Sequence, residues 1–108
     1  MDDLQQTVAR SADTADLHAT VPTLLLELQT MLGSLAASVT AGSDRGRRPY
    51  RPNEDLNRRL GELAYGVYLL ADQTGVDVAQ AVAATAERLA RQAEQLRADA
   101  DNAWLLPE

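Results

Sequence analysis

The sequence predicts an all-α fold. Of its 108 residues, 19 are Ala and 17 are Leu, whereas Ile and Phe are absent. Ala and Leu favour helices, and a shortage of β-branched and aromatic residues leaves little material for a sheet. Apolar residues also recur every three or four positions in long segments that Gly and Pro separate, which is the spacing of amphipathic helices. We therefore expect a bundle of about four helices.

A short N-terminal helix is predicted within residues 1–19, ahead of the main helical domain at 20–102. Its apolar face consists of Leu4, Val8 and Ala12. The main domain opens with a longer helix, because Thr20 is a residue type that caps helix N-termini and Pro22 fits the first turn. The apolar stripe of this second helix consists of Leu24, Leu28, Met31, Leu35 and Val39.

A basic loop is predicted at residues 41–52, where two Gly and two Pro break the helix. Its four arginines are Arg45, Arg47, Arg48 and Arg51. With Tyr50 available for stacking, these side chains are candidates for binding a nucleotide or another phosphorylated ligand. The alternative is a solvated, flexible loop whose arginines keep the chain soluble.

The third and fourth helices are predicted from their end signals. Asn53 suits the N-cap of the third helix and Gly75 its C-terminal cap, while Asp77 begins the fourth. The stripe of the third helix consists of Leu56, Leu60, Leu63, Val67 and Leu70. An apolar tail follows at 103–108. Several helices carry apolar residues on more than one side, and a domain this small buries limited area, so we expect a homodimer.

Composition excludes several classes of function. A net charge of -6 argues against a nucleic-acid partner. The chain has no Cys and one His, which excludes disulfides, Cys-ligated zinc and multi-His metal sites. His18 has no partner evident in the sequence and is expected at the surface. No apolar run approaches 18 residues, so no membrane span is predicted, and the N-terminus lacks the layout of a signal peptide. We therefore expect a cytoplasmic protein that does not enter a membrane.

Two acidic residues interrupt apolar helices, namely Glu27 and Glu62. A carboxylate in such a helix must be paired, hydrated, protonated or a ligand. Glu62 lies one helical turn after Arg58, and the simpler interpretation is an internal ion pair or a hydrated acid at the end of a bundle. The alternative interpretation is that these two carboxylates form half of a divalent-cation site, although such a site needs several oxygen ligands.

The segment LNRRLGELAYGVYLLADQTGVDVAQAV resembles the second conserved helix of the MazG-like, all-α nucleotide pyrophosphohydrolases. In that family the helix typically reads E-L-x-D, followed by a long apolar stretch, L-A-x-x-x-G-I-D and another helix. Here RLGE, at 59–62, occupies the first place and LADQTGVDVAQAV the rest. GSLAASV, at 33–39, falls where the family has G-E-L-A-E-A-I. The resemblance spans residues 22–91 and implies a MazG-like helical bundle completed by dimerisation.

The resemblance also implies which activity to expect. In the family, E-E-x-x-E and E-x-x-D motifs hold Mg²⁺ against the phosphates of the nucleotide. The first motif falls on Thr30, Met31 and Ser34, and in the second Arg59 replaces the Glu while Glu62 replaces the Asp. A site without its acids loses metal-assisted hydrolysis. The resemblance therefore implies a catalytically degenerate, cofactor-free homo-oligomer that binds a nucleotide or a protein partner, with Arg59 supplying charge in place of the metal.

An alternative function stays open at this point. An active, Mg²⁺-dependent nucleoside triphosphate pyrophosphohydrolase would use Glu27 and Glu62, with Glu62 as the metal ligand. Two other classes rank lower. A secreted helical hairpin of the W-x-G type would need that turn in the central loop, and a DNA-binding helix-turn-helix would need a basic recognition helix.

Overall fold

Four helices follow one another along the chain in the computed structural model, which describes residues 3–104. They are α1 (Asp3–Ala15), α2 (Val21–Gly42), α3 (Glu54–Thr74) and α4 (Val78–Ala103). The described residues contain no strand, so the predicted all-α class with four helices is confirmed. Of the predicted tail, residues 105–108 lie outside the described part of the chain.

The predicted helix ends are confirmed at Thr20, Asn53 and Gly75. The Thr20 hydroxyl accepts a hydrogen bond from the Thr23 amide at 3.4 Å, and the Asn53 side chain accepts one from the Leu56 amide at 3.0 Å. Gly75 ends α3 in the left-handed region, at φ 74°, which a residue without a Cβ adopts without strain. At its C-terminus, α2 extends to Gly42, so the loop that follows occupies 43–53.

The chain divides into two units, and the first contains α1, α2 and α3 up to Asp77. Its core is small. The buried apolar side chains at its centre are Val8, Ala12, Leu24 and Leu69, against which Ala19, Tyr65, Tyr68 and Leu70 pack. Both tyrosines therefore pack against the core.

Helix α1 is held against α3 by polar contacts as well as by the core. Gln5 is fully buried, and its side-chain amide donates to the carbonyl oxygen of Val76 at 2.7 Å. The Tyr65 hydroxyl donates to the Ser11 hydroxyl at 2.9 Å. Leu4, by contrast, is 52% exposed. The buried face of α1 therefore contains Gln5 rather than Leu4. The predicted apolar stripe is wrong by one residue at this position, because a hydrogen-bonded amide takes the place of an apolar side chain.

Helices α2 and α3 approach each other closely at Gly66. A Cβ at this position would lie 2.7 Å from Leu28 Cδ2 and 3.4 Å from Met31 Sδ, so an added methyl group would force the end of the Leu28 side chain to move. This contact rotates the packed face of α3 towards Gly66 and Leu69. Two residues of the predicted stripe, Leu60 and Val67, are consequently 48% and 43% exposed.

The outward side of α2 remains apolar and exposed, with Leu25, Leu26 and Leu32 between 48% and 64% accessible. An 18-residue stretch of this helix has a mean hydropathy of 1.3, so it is long and apolar enough to cross a membrane. The sequence predicts no membrane-spanning segment, and α2 departs from that prediction in length and composition. Length and composition are weak evidence here, because a helix covered by protein on two sides has the same composition.

The second unit, from Val78 onwards, consists of α4, whose 26 residues make it the longest helix. None of its residues is buried. Val82, Leu89 and Leu96 are 61%, 55% and 70% exposed. The second unit therefore has a regular apolar face with exposed side chains.

His18 joins the end of α1 to α3, although the sequence shows no partner for it. One ring nitrogen, Nε2, lies 2.6 Å from the Asp13 carboxylate, and Nδ1 lies 3.1 Å from Oε1 of Gln73. The Gln73 amide is itself fixed, because it exchanges two hydrogen bonds with the backbone of Ala19. Both ring nitrogens thus face acceptors, which favours the doubly protonated imidazolium. The pKa of His18 is raised by Gln73 first and by Asp13 second, with a smaller contribution from the charge of Asp72.

The glycine contact between α2 and α3 predicts a difference between two substitutions. Gly66→Ala should be less stable than Gly61→Ala by about 1 kcal/mol, because the added methyl group overpacks the contact with Leu28. On the same helix, a methyl group added at Gly61 would have no neighbour within 4 Å, so that substitution gains only helix propensity. Thermal or urea unfolding of both variants measures the difference, and equal stabilities would contradict the close approach.

The His18 contacts predict a stability that depends on pH. Folding raises the pKa of His18, so its contribution is complete below the ordinary pKa of about 6.5 and is lost as the pH rises through the folded value. The melting temperature should therefore fall between pH 6 and pH 8, and His18→Ala should remove this fall. Because His18 is the only histidine, a pH dependence that persists in the variant would contradict the assignment.

Candidate anion-binding site

The loop at 43–53 is ordered by hydrogen bonds to the last turn of α2. The Arg45 amide donates to the carbonyl oxygen of Thr40 at 2.8 Å, and the Arg48 amide donates to that of Ser43 at 3.1 Å. Ser43 is buried, and its hydroxyl accepts from the Gly46 amide at 3.2 Å. The first half of the loop is therefore a hydrogen-bonded extension of the helix end, which differs from a flexible linker.

Three consecutive loop residues have left-handed backbone conformations. Asp44, Arg45 and Gly46 have φ values of 49°, 59° and 84°. Glycine adopts this region without penalty and aspartate tolerates it, whereas an arginine there costs on the order of 1 kcal/mol or more. The hydrogen bonds to α2 hold this tight reversal in place.

Beyond the reversal, the loop forms a cleft of about 550 Å³. Its lining residues are Gly42, Arg48, Pro49, Tyr50, Arg51, Pro52 and Asn53. Two arginines and no acidic residue line it. In the described part of the chain, neither Arg48 nor Arg51 takes part in an ion pair. The cleft therefore presents two positive charges that no described carboxylate neutralises.

Tyr50 forms one wall of the cleft and packs against the end of α2. A Cβ at Gly42 would lie 3.0 Å from Tyr50 Cε2 and 3.2 Å from Cδ2, so the ring lies flush with the glycine backbone. The Tyr50 hydroxyl is buried and makes no hydrogen bond within residues 3–104. An unpaired buried hydroxyl is unfavourable, so the burial of this atom lowers stability.

The other predicted phosphate-binding arginines lie elsewhere. Arg45 belongs to the reversal, and Arg47 lies 3.6 Å from Asp44 in an exposed pair. Arg59 donates from Nε to the carboxylate of Asp55 at 2.8 Å. Of the five predicted arginines, the structure thus brings only Arg48 and Arg51 together in the cleft, and Arg59 is held by an acid.

Asp55 is the anchor of the first turn of α3. Its carboxylate accepts hydrogen bonds from the Ser38 hydroxyl, Arg59 and Arg58. The Ser38 bond first, and then that of Arg59, lower the pKa of Asp55 well below its usual value. Sequence reasoning missed this cluster, although the four-residue spacing of Asp55 and Arg59 was a visible signal for it.

The two helix-interrupting acids lie along the α2–α3 contact. Glu27 lines a narrow apolar groove of about 100 Å³ with Leu28, Met31 and Tyr65, among others. Glu62 lines a neighbouring hollow that shares Met31 and Tyr65 with it. Glu62 accepts a hydrogen bond from Arg58 at 3.3 Å and is half exposed. The ion pair predicted from the spacing of Arg58 and Glu62 is therefore formed.

This donor set does not fit Mg²⁺. Mg²⁺ needs an octahedral set of oxygen ligands, with carboxylates among them. Among residues 3–104, no three His, Asp or Glu side chains come close enough together to hold one metal ion. Glu62 faces a guanidinium, and the Thr30 hydroxyl donates to the carbonyl oxygen of Leu26 in its own helix.

Comparison with known proteins gives no relative from which a function could be transferred. No protein-family model matches the chain, and no curated protein or solved structure is significantly similar to it. Nothing in these comparisons links the chain to the MazG-like proteins, so that resemblance stays a prediction. The candidate site must be interpreted from its own geometry.

The contact between Tyr50 and Gly42 predicts another matched pair of substitutions. Gly42→Ala should be less stable than Gly33→Ala by about 1 kcal/mol, since the new methyl group displaces the Tyr50 ring. Gly33, in the same helix, has open space at the corresponding position. Urea unfolding measures both variants. If Gly42→Ala is as stable as Gly33→Ala, the ring does not pack as described.

Proposed function

We propose that this chain is a non-catalytic, homo-oligomeric binding module that holds a phosphorylated small molecule, such as a nucleotide, in the cleft of loop 43–53. One observation carries the proposal. Arg48 and Arg51 line a cleft that contains no acidic residue, and no described carboxylate pairs with either of them. Arginine binds phosphate through paired, charge-assisted hydrogen bonds, so two such groups favour a phosphate ligand.

The size and the remaining walls of the cleft support a small molecule. Its volume of about 550 Å³ lies within the range of roughly 300–1,000 Å³ that is usual for ligand pockets. Tyr50 and two prolines supply apolar surface beside the arginines. The net charge of -6 repels polyanions in general, which favours a compact phosphorylated ligand over nucleic acid.

Binding without hydrolysis is supported by the state of the acids. Glu62 is paired with Arg58, and Glu27 lines an apolar groove. The positions that would carry the first acidic motif of a MazG-like enzyme hold Thr30, Met31 and Ser34. No described group of side chains supplies the ligands that a catalytic metal ion needs.

Homo-oligomerisation is supported by the apolar surface that one copy leaves uncovered. Large apolar side chains on α4 are more than half exposed, namely those of Val82, Leu89 and Leu96. Contiguous exposed apolar surface is typical of interaction sites. A heterologous protein partner for the same surface is the competing possibility, and the oligomeric state of the purified chain separates the two.

The ligand proposal predicts that ADP binds and that adenosine does not. Binding should be measured by isothermal titration calorimetry, with and without Mg²⁺. Arg48→Gln combined with Arg51→Gln should weaken ADP binding by about a hundredfold, because a hydrogen bond to a charged group contributes on the order of 1.5–3 kcal/mol. The matched control, Arg10→Gln combined with Arg91→Gln, removes the same charge from exposed positions outside the loop and should leave the affinity within about twofold.

Two results would contradict this proposal. Absence of ADP binding, or equal weakening by the control pair, would remove the cleft as a specific phosphate site. Release of pyrophosphate or phosphate from ATP in the presence of Mg²⁺, lost in Glu62→Gln, would instead establish the hydrolytic alternative.

A further inference from the structure

Helix α4 carries an unbroken seven-residue repeat that the fold of one chain does not use. Along the helix, apolar residues alternate at spacings of three and four. The first set of positions holds Ala79, Ala86, Ala93 and Ala100, and the second set holds Val82, Leu89, Leu96 and Ala103. This is the a and d pattern of a coiled coil, sustained for more than three repeats.

The seam that these residues form is exposed along its whole length. No residue of α4 is buried, and the three large members of the seam are each more than half exposed. A helix of 26 residues whose apolar face stays in water gains little from propensity alone, since helices owe most of their stability to packing. The face therefore requires a partner helix with the same repeat.

We propose that α4 pairs with α4 of a second copy of this chain as an antiparallel coiled coil centred on residue 91. In an antiparallel pair, each a residue faces a d residue of the other helix. About this centre, the facing pairs are Ala79–Ala103, Val82–Ala100, Ala86–Leu96 and Leu89–Ala93, each occurring twice. Every large side chain then faces an alanine, so the two helices lie close together at a nearly uniform separation.

A parallel pair would be packed less evenly. It would stack alanine on alanine in every a layer and leucine or valine on its own copy in most d layers. Narrow and wide layers would then alternate, which leaves voids beside the alanines. The residues of the seam therefore favour the antiparallel arrangement.

Charge on the same helix favours this orientation as well. Residues 78–91 contain Glu87, Arg88 and Arg91, for a net charge of +1, whereas residues 92–103 contain three acids and Arg97, for a net charge of -2. Antiparallel pairing brings the positive half over the negative half of the other helix. Arg97 then lies within about one turn of Glu87 in the second copy, and parallel pairing would place the two negative halves side by side.

This inference rests on the proposed homo-oligomer, for which it names the interface, and it is independent of the phosphate cleft. It also places the single tryptophan. Trp104, which is 77% exposed in one copy, falls at the level of Val78 of the second helix in this register. Its emission should shift to shorter wavelength when the pair forms.

Disulfide trapping in the full-length protein tests the register without background, because the chain has no cysteine. Val82→Cys and Ala100→Cys should not cross-link alone under mild oxidation, because each residue lies about 27 Å from its own copy in the antiparallel pair. A mixture of the two variants should give the cross-linked heterodimer. The matched control mixture, Ala84→Cys with Ala98→Cys, also joins facing positions, about 3 Å along the axis from the seam pair. Both residues lie on the outward side, so this mixture should not cross-link.

Light scattering after gel filtration tests the interface itself. The wild type should be dimeric, and Leu89→Asp should raise the dissociation constant by at least about a hundredfold, since it places an unpaired carboxylate against Ala93 of the other helix. Leu26→Asp, an equally drastic change on the exposed side of α2, should leave the dimer intact. The circular dichroism spectrum of each variant verifies that it remains folded.

The possible results separate this inference from the proposed function. A dimer that survives Leu89→Asp, or cross-linking by Val82→Cys or Ala100→Cys alone, overturns the antiparallel α4 interface while the homo-oligomer stands. A wild-type protein that is monomeric at every concentration overturns both the α4 interface and the homo-oligomer. If the mixture of Val82→Cys and Ala100→Cys cross-links, the control mixture does not, and Leu89→Asp dissociates the dimer, the results support both the α4 interface and the homo-oligomer.

Discussion

The small apolar core beneath α1, α2 and α3 is the constraint on which the rest of the structure depends. Its centre contains four buried apolar side chains, Val8, Ala12, Leu24 and Leu69, and the close contact at Gly66 sets how α2 and α3 meet around it. Two fully or partly buried amides, Gln5 and Gln73, and one histidine then tie α1 and its following segment to α3. A core of this size leaves most of the leucines and valines of the chain outside it, and they must be covered by something else.

The proposed ligand-binding surface and the proposed self-association surface lie in different parts of the molecule. The loop at 43–53 is held by hydrogen bonds to α2 and presents Arg48 and Arg51 around a cleft. Helix α4 presents a regular apolar seam. The two features share no residue, so ligand binding and self-association can be altered separately by substitution. Of the two acids along the α2–α3 contact, Glu62 pairs with Arg58 and Glu27 lines an apolar groove.

Local features of the fold were predictable from the sequence, and contacts between distant residues were not. Thr20, Asn53 and Gly75 fulfil their expected roles because a cap bonds residues three or four positions away, and the Arg58–Glu62 pair forms for the same reason. Gln5 and His18 bond residues that are 71 and 55 positions distant, and periodicity contains no information about such partners. In the candidate site, the identity of the arginines was predictable, but Arg59 is occupied by Asp55, and only the structure groups Arg48 with Arg51.

The central claim is that a second copy covers the apolar surface that one chain leaves exposed, above all along α4. Hydrogen–deuterium exchange at several protein concentrations tests it most directly, because amides of an uncovered helix exchange by local fraying and those of a packed helix do not. We predict that amides in residues 79–103 become strongly protected as the concentration rises, while the amides of α3 around Leu69 stay protected throughout. Exchange in α4 that is equally fast at every concentration would contradict the account.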